Sequence, residues 1–323
     1  MSDYKSLTAR ECAERLAKIE KPIVFIHVRP DGDATGSGAA LCEIFRQLGR
    51  DCALLSADKI PARLQFILEK TGTKVANTAK GFTPVSIDVA SPSQLGELIE
   101  CEDKPALMID HHAVGESFAD YYIAPKASSA AEALIDIIDE LEAMGLVKMN
   151  EKLAYTLYAA ISSDTGCFAY SNAGPKTYRC AARLIEYGID SADINHRLFN
   201  SKSKEQLKAE GFVASKLKSD MSGKVAYAAI TLTEREELGL ESEHFDTAID
   251  IVRSILGAEI AFVVKESTPK KYKISLRSTG ADVSRIAAEL GGGGHVRAAG
   301  CSVAAENIDV ATDIIFEKIK NIL

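Results

Sequence analysis

The stretch that most constrains this chain is His27 to Gly38, reading His-Val-Arg-Pro-Asp-Gly-Asp-Ala-Thr-Gly-Ser-Gly. The apolar, β-branched run Ile23-Val24-Phe25-Ile26 precedes it, and the amphipathic segment Ala39 to Leu48 follows. This order predicts a strand, a glycine-rich turn and a helix. His27, Asp31 and Asp33 then gather at the carboxyl end of a strand, where open α/β sheets bind their ligands. Asp and Gly are also ordinary turn residues, so the stretch alone leaves a plain turn with Thr35 as a helix cap equally open.

The rest of the chain decides between the two. Residues 7 to 20 carry a helical apolar face, and short apolar strands follow at Cys52–Leu55, Pro84–Ile87 and Ala106–Ile109. Helical patterns separate them at Ala62–Leu68 and Gln94–Ile99. Strands alternating with helices predict a parallel sheet of βαβ units, and the continuous apolar strands agree, because such strands are covered on both faces. Three helices are expected at Ala130–Met144, Leu153–Ile161 and Thr177–Tyr187. The polar, lysine-bearing Ser203–Leu217 reads as a connector. Strand signals then resume at Val225–Ile230, Glu259–Val264 and Tyr272–Leu276, with helices at Thr247–Leu256, Val283–Leu290 and Val310–Leu323. The expected organisation is α/β in two domains: 1–200 around a parallel sheet, a connector helix over 201–220, and a smaller α/β domain over 221–323.

Composition narrows the partners. The 323 residues carry 38 Lys and Arg against 46 Asp and Glu, a net charge of −8. Proteins that grip long nucleic acid usually present a basic balance, so a nucleotide substrate is expected to be short. Seven scattered cysteines with no Cys-x-x-Cys pair fit reduced thiols and a cytoplasmic setting. The first twenty residues show no signal-peptide core, and no apolar run is long enough to span a bilayer, so no membrane partner is expected.

Three strands end in metal-type ligands: His27/Asp31/Asp33, then Asp88, then Asp110/His111. Asp164 closes a helix, whose negative dipole end favours a cation. Parallel strands bring these ends together, and the four carboxylates of Asp31, Asp33, Asp88 and Asp164 in one place repel unless cations neutralise them. Two divalent ions would do so. Carboxylate and imidazole without thiolate favour manganese or a similar ion over structural zinc. Such a pair, about 3.5–4 Å apart, polarises a phosphoryl oxygen and supplies the nucleophile for in-line attack.

The ordered set His27-x-Arg-Pro-Asp31-Gly-Asp33-x-x-Gly-Ser, Asp88, Asp110-His111-His112 and Asp164-Thr165-Gly166-x-Phe168 resembles the four-motif signature of the DHH phosphoesterase family. Gly291-Gly-Gly-Gly294-His295-x-x-Ala298-Ala299-Gly300 is similar to the glycine-rich motif of the DHH-associated C-terminal domain of the first type. The resemblance implies one ion held by His27, Asp31 and Asp88. It implies a second held by Asp33, Asp88, His111 and Asp164, with Asp88 bridging. Asp110 would orient a histidine, and His112 would face the substrate phosphate. Arg277, Ser278, Gly293, Gly294 and His295 would bind the terminal phosphate or nucleotide, with the active site in the cleft between the domains. The cofactors implied are two divalent cations, manganese foremost, with magnesium or cobalt as alternatives.

The family includes short enzymes that hydrolyse nanoRNA and linear dinucleotides such as pApA to mononucleotides, some of which also remove the 3′-phosphate of adenosine 3′,5′-bisphosphate. The expected partners are therefore short RNA or DNA oligonucleotides or nucleotide phosphates, with a homodimer also expected of such enzymes. A single-stranded DNA exonuclease of the superfamily would need a further stacking domain, and this chain contains no Trp. An inorganic pyrophosphatase would lack the Gly291–Gly300 motif. A non-catalytic nucleotide sensor would have lost a ligand, and none is lost.

Overall fold

The computed structural model describes residues 4–323, the side chain of His295 lying outside the described residues. The chain forms two compact units, Met1–Ser201 and Lys202–Leu323. Among the described residues no helix is long and apolar enough to cross a membrane.

The first unit is built on six parallel strands: β1 (Pro22–Phe25), β2 (Ala53–Leu55), β3 (Lys74–Val75), β4 (Thr83–Ile87), β5 (Leu107–Asp110) and β6 (Tyr121–Ile123). They lie in the order β3-β2-β1-β4-β5-β6, and every pairing is parallel. Seven helices accompany them: α1 (Ala9–Leu16), α2 (Gly32–Gln47), α3 (Gln65–Thr71), α4 (Ala130–Ala143), α5 (Glu151–Asp164), α6 (Pro175–Ile185) and α7 (Ser191–Asn195). Val24, Leu54, Val85, Ile87, Leu107 and Ile109 pack against the helices in one core. Ile23, Phe25 and Leu55 point into a smaller core with Ala79, Val89 and Leu95 on the other side. The strand order reverses between β1 and β4, and in such sheets that switch point opens a crevice at the carboxyl ends.

One sequence expectation is corrected here. The glycine-rich stretch after His27 is not a turn, because α2 already begins at Gly32 with Asp31 as its N-cap, accepting from the Asp33 and Ala34 amides at 3.0 Å each. The glycines serve helix packing instead. A Cβ on Gly36 would stand 2.6 Å from the Thr156 carbonyl oxygen and 2.8 Å from the Ala160 Cβ, both on α5. Gly32 and Gly38 are closed off in the same way by Ser163 and Leu54. Three glycines cost helix propensity of up to about 1 kcal/mol each. The close approach of α2 to α5 overrides that cost and carries Asp33 toward Asp164.

The second unit holds a mixed sheet of β7 (Lys218–Asp220), β8 (Val225–Ile230), β9 (Ile260–Thr268), β10 (Lys271–Ser278), β11 (Gly293–His295) and β12 (Ala298–Ala304), in the order β11-β12-β10-β9-β8-β7. Its helices are α8 (Lys204–Ser215), α9 (Leu232–Leu238), α10 (Ala248–Arg253), α11 (Val283–Glu289) and α12 (Ile308–Ile319). Alternation along β9 divides the core, with Ile260, Phe262 and Val264 facing Ile286 and Ile315, while Ala261 and Val263 face Val213 and Ile249. The stretch 201–220, expected as a connector, supplies α8 and edge strand β7 to this unit, and Ala209 and Val213 are buried in its core.

Gly36→Ala is expected to destabilise the chain by about 1–3 kcal/mol despite the better helix former, because the obstructing Thr156 carbonyl is backbone. Gly211→Ala, at an open site in the middle of α8, is expected to stabilise by about 0.5–1 kcal/mol. Denaturant midpoints of the two variants check the pair, and equal shifts would remove the packing explanation.

Candidate metal centre

Each sequence-expected ligand of the first unit arrives by a separate local device. His27 lies just beyond β1, Asp88 just beyond β4, and Asp110 ends β5. Asp31 caps α2, Asp33 sits in its first turn, and Asp164 is the last residue of α5. Asp88 holds a left-handed backbone, φ 57°, with its amide donating to the Ile109 carbonyl at 3.0 Å. A non-glycine residue there is strained, and Asp tolerates it better than most.

The histidines are turned by their second nitrogens. The Nδ1 of His27 donates to the Val28 carbonyl at 2.7 Å, and that of His111 faces the Ala127 carbonyl at 3.4 Å. Their Nε2 atoms therefore look into the cluster. His27 Nε2 is 3.7 Å from Asp31 Oδ1 and 3.6 Å from Asp88 Oδ2. His111 Nε2 is 3.6 Å from Asp88 Oδ1, 3.7 Å from Asp164 Oδ2 and 3.8 Å from Asp33 Oδ2. Thus the two oxygens of Asp88 face different imidazoles.

These spans are too long for hydrogen bonds. They match the separation of two donors around one ion at bond lengths of about 2.1 Å. Two groups of donor atoms, His27/Asp31/Asp88 and Asp33/His111/Asp164, each lie within 4.8 Å of one another and could hold a metal ion. A third grouping, Asp88/His111/His112, meets the same distance. There, however, His112 Nδ1 is 3.8 Å from Asp88 and only 2.8 Å from Asp110 Oδ1, a hydrogen bond that ties it to Asp110.

The electrostatics favour cations. Burial together with repulsion from Asp88, Asp164 and Asp31 holds the Asp33 carboxyl well above its ordinary pKa. Burial, with Asp88 and Asp31, does the same to Asp164. Burial opposes charge on His27, but the Asp31 and Asp88 carboxylates beside it prevail and push it up to about 11. His112 is likewise raised to about 9, against burial, chiefly by Asp110. Asp31 is lowered, against burial, by His27 beside it. Two raised acids in one cluster mark a site short of positive charge, and the donor set fits divalent ions.

Sequence reasoning missed the support beneath Asp33. Its two oxygens accept from the Ala130 amide at 2.6 Å and the Ala131 amide at 3.2 Å, so it closes the first turn of α4. Ser129 caps that helix, and buried Glu132 accepts from the Ser128 hydroxyl at 2.6 Å and the Thr177 hydroxyl at 2.8 Å. Ser129-Ala-Ala-Glu132 has the spacing of a capping box, the signal that could have exposed this anchor.

The candidate residues of the second unit sit apart in sequence but align in register. Arg277 pairs with Ala298, which pairs in turn with His295, and Gly294 pairs with Ala299. Arg277 also donates to the Leu276 carbonyl at 2.9 Å, and the Ser278 hydroxyl donates to the Ala281 carbonyl. The glycines divide by role. Gly294, φ 140°, admits the Ala298 carbonyl at 2.5 Å from where a Cβ would stand, and Gly292 is blocked by Gly300 and Cys301. Gly293 alone of these three is open.

Removal of cations sets a pH signature. A group whose pKa rises on folding stabilises while it stays protonated and loses that contribution as pH climbs through the folded value. In chelator, stability is therefore expected to fall from pH 6.5 upward toward 11 through His27, with Asp33 and Asp164 acting in the same direction. With manganese the slope is expected to reverse, since deprotonated ligands bind better. Urea midpoints from about pH 6 to about pH 9 check this; a flat chelator series contradicts the crowding of charge.

Residues 21–161 match the DHH family N-terminal domain, and residues 222–321 match the DHHA1 domain. A bifunctional oligoribonuclease and PAP phosphatase NrnA of Thermus thermophilus is 31% identical over 317 residues, covering 96% of this chain and 93% of the relative. A protein of the same name from Bacillus subtilis is 27% identical, covering 87% and 88%. Among solved structures, an exopolyphosphatase-related protein from Bacteroides fragilis shares the fold at a TM-score of 0.86 and 22% identity, covering 99% of this chain and 98% of that one. RecJ from Thermus thermophilus in complex with Mn2+ shares it at a TM-score of 0.56 and 18% identity, covering 97% of this chain and 55% of that one. Identity, near-complete coverage and the ordered motifs agree: the chain belongs to the DHH phosphoesterase family, with a DHHA1 domain following the DHH domain.

Proposed function

We propose that this chain is a cation-dependent phosphodiesterase that hydrolyses short oligonucleotides and linear dinucleotides to mononucleotides, with a second activity as 3′-phosphatase on adenosine 3′,5′-bisphosphate. The observation that carries the reading is the Asp88 carboxylate, one oxygen 3.6 Å from each of two histidines that belong to separate donor sets. The names of relatives aligned over nearly the whole chain support the substrate class.

The residues divide the work. His27, Asp31 and Asp88 would hold one divalent cation, and Asp33, Asp88, His111 and Asp164 a second. Manganese is the first choice because the structurally similar RecJ is known in complex with it. Bound there, the cations supply Lewis acidity toward phosphoryl oxygens and an activated water. His112, oriented by Asp110 at 2.8 Å, would deliver its proton to the leaving oxygen. The other carboxylate oxygen of Asp110, Oδ2, is buried without a hydrogen bond among the described residues. In the second unit Arg277, Ser278, Gly293, Gly294 and His295 would hold the substrate's far phosphate, where the planar guanidinium suits a bidentate contact.

The assay compares 5′-phosphorylated diadenylate, a long single strand, adenosine 3′,5′-bisphosphate and pyrophosphate, with manganese and with chelator. Chelator-sensitive release of mononucleotide from the dimer, and of phosphate from the bisphosphate, is expected. Preference for the long strand or for pyrophosphate would overturn the substrate assignment. Asp88→Asn is expected to cost more than the ~10–100-fold of an outer-shell partner and to weaken manganese binding in calorimetry. Retained turnover in that variant would remove Asp88 from the centre.

A further inference from the structure

The aromatic residues that follow Asp164 have no part in the donor sets or in the proton transfer, yet they are built onto the same corner of the site. Thr165, the next residue, accepts the Phe168 amide on its hydroxyl at 3.1 Å. Gly166, Cys167 and Phe168 are all left-handed, with φ of 55°, 56° and 63°. The Tyr170 amide closes the turn onto the Thr165 carbonyl at 3.0 Å. Asn172 Nδ2 then ties the loop back, donating to the Asp164 carbonyl at 3.1 Å and to the Ser128 carbonyl at 3.0 Å. Two consecutive non-glycine residues in this conformation cost on the order of 1–3 kcal/mol each, and their effect is to hold Phe168 beside a donor residue.

The Phe168 ring lies between Tyr158, buried at 5.8 Å, and Tyr178 on α6 at 5.6 Å and 31°. Tyr178 is 53% exposed, and its hydroxyl donates to the Phe168 carbonyl at 3.1 Å. The ring is thus anchored at its polar end and backed by a second ring while half of it meets solvent. A core aromatic would be buried, and an incidental surface tyrosine has no reason to be pinned to a strained turn. An anchored, half-exposed ring pinned to the turn that follows donor residue Asp164 is suited to stack a flat, sequence-independent π-face such as a nucleobase.

We propose that Tyr178, backed by Phe168, stacks on the base of the nucleotide whose phosphate is held at the metal centre, so that the enzyme distinguishes nucleotides from base-free phosphodiesters. This rests on the nucleotide reading above and adds the residue that recognises the base.

The test measures kcat and KM of the full chain with manganese, for wild type, Tyr178→Ala and Tyr178→Phe. The substrates are 5′-phosphorylated diadenylate and its analogue lacking both bases. Tyr178→Ala is expected to raise KM on diadenylate about tenfold with little change in kcat, as one stacked base is worth. On the base-free analogue that loss should be absent, and Tyr178→Phe, which keeps the ring, should behave as wild type on both. Parallel losses on both substrates, a drop in Tm with loss of activity, or unchanged kinetics on diadenylate each overturn the proposal. So does a change in native mass in place of KM, which would make the exposed ring a contact between copies of the chain. Wild-type turnover of both substrates with equal KM overturns base recognition but leaves the phosphodiesterase reading standing. Wild-type silence on both removes that reading itself.

Discussion

Four carboxylates crowded at the switch point of a parallel sheet are the constraint on which the first unit depends. Asp31 and Asp33 from α2, Asp88 from the end of β4 and Asp164 from the end of α5 reach one place, and only positive charge makes their company stable. The fold does everything short of supplying it. The carboxyl ends of β1 and β4 bring His27 and Asp88 side by side, and the close α2–α5 contact carries Asp33 toward Asp164. The α4 amides hold Asp33 from behind. His27 and His111 each spend one nitrogen on a backbone carbonyl and turn the other inward. The arrangement could hold ions, whereas a chain built for stability alone would have diluted the charge.

The donor residues were legible because each lies at the end of a short apolar run or in a compact motif, and parallel strands bring such ends together. The local structure of the first motif was misread for a physical reason. Gly32, Gly36 and Gly38 look like turn residues by propensity, but here they clear space for the Thr156 carbonyl, Ala160, Ser163 and Leu54. Propensity is a weak prior, and tertiary packing outranked it. The hydrogen bonds from Ala130 and Ala131 to Asp33 span 97 and 98 residues, a distance at which sequence pattern carries no signal. Short edge strands such as β3 and β6 were missed because two or three residues leave no periodicity to read.

In the second unit the strands β8 and β9 are legible as apolar runs, and β10 from the alternation of Ile274 and Leu276 with polar neighbours. The glycine run was harder. Four glycines in a row carry no strand signal, yet Gly293–His295 forms an edge strand against β12. Gly292 and Gly294 are demanded by the backbone of that neighbouring strand, so the tract is in large part a packing device, and Gly293 is the position with room for something else. The register that sets Arg277, Ala298 and His295 in one row could not have been obtained without knowing that β11 exists.

Backbone strain is distributed in a way that bears on how the centre works. In the first unit the described non-glycine residues with left-handed backbones are Arg29, Asp88, Cys167 and Phe168. Arg29 lies between His27 and Asp31, Asp88 faces both His27 and His111, and Cys167 and Phe168 follow Asp164. Each such residue persists only where its surroundings over-determine it. Here they do so through the Asp58 carboxylate on the Arg29 amide, the Ile109 carbonyl on the Asp88 amide, and the Thr165 hydroxyl on the Phe168 amide. Strain held in this way keeps mutually repelling groups from relaxing apart. Donors fixed in advance spare the protein reorganisation when cations and phosphate arrive, which is how an electrostatic centre keeps its strength for the transition state.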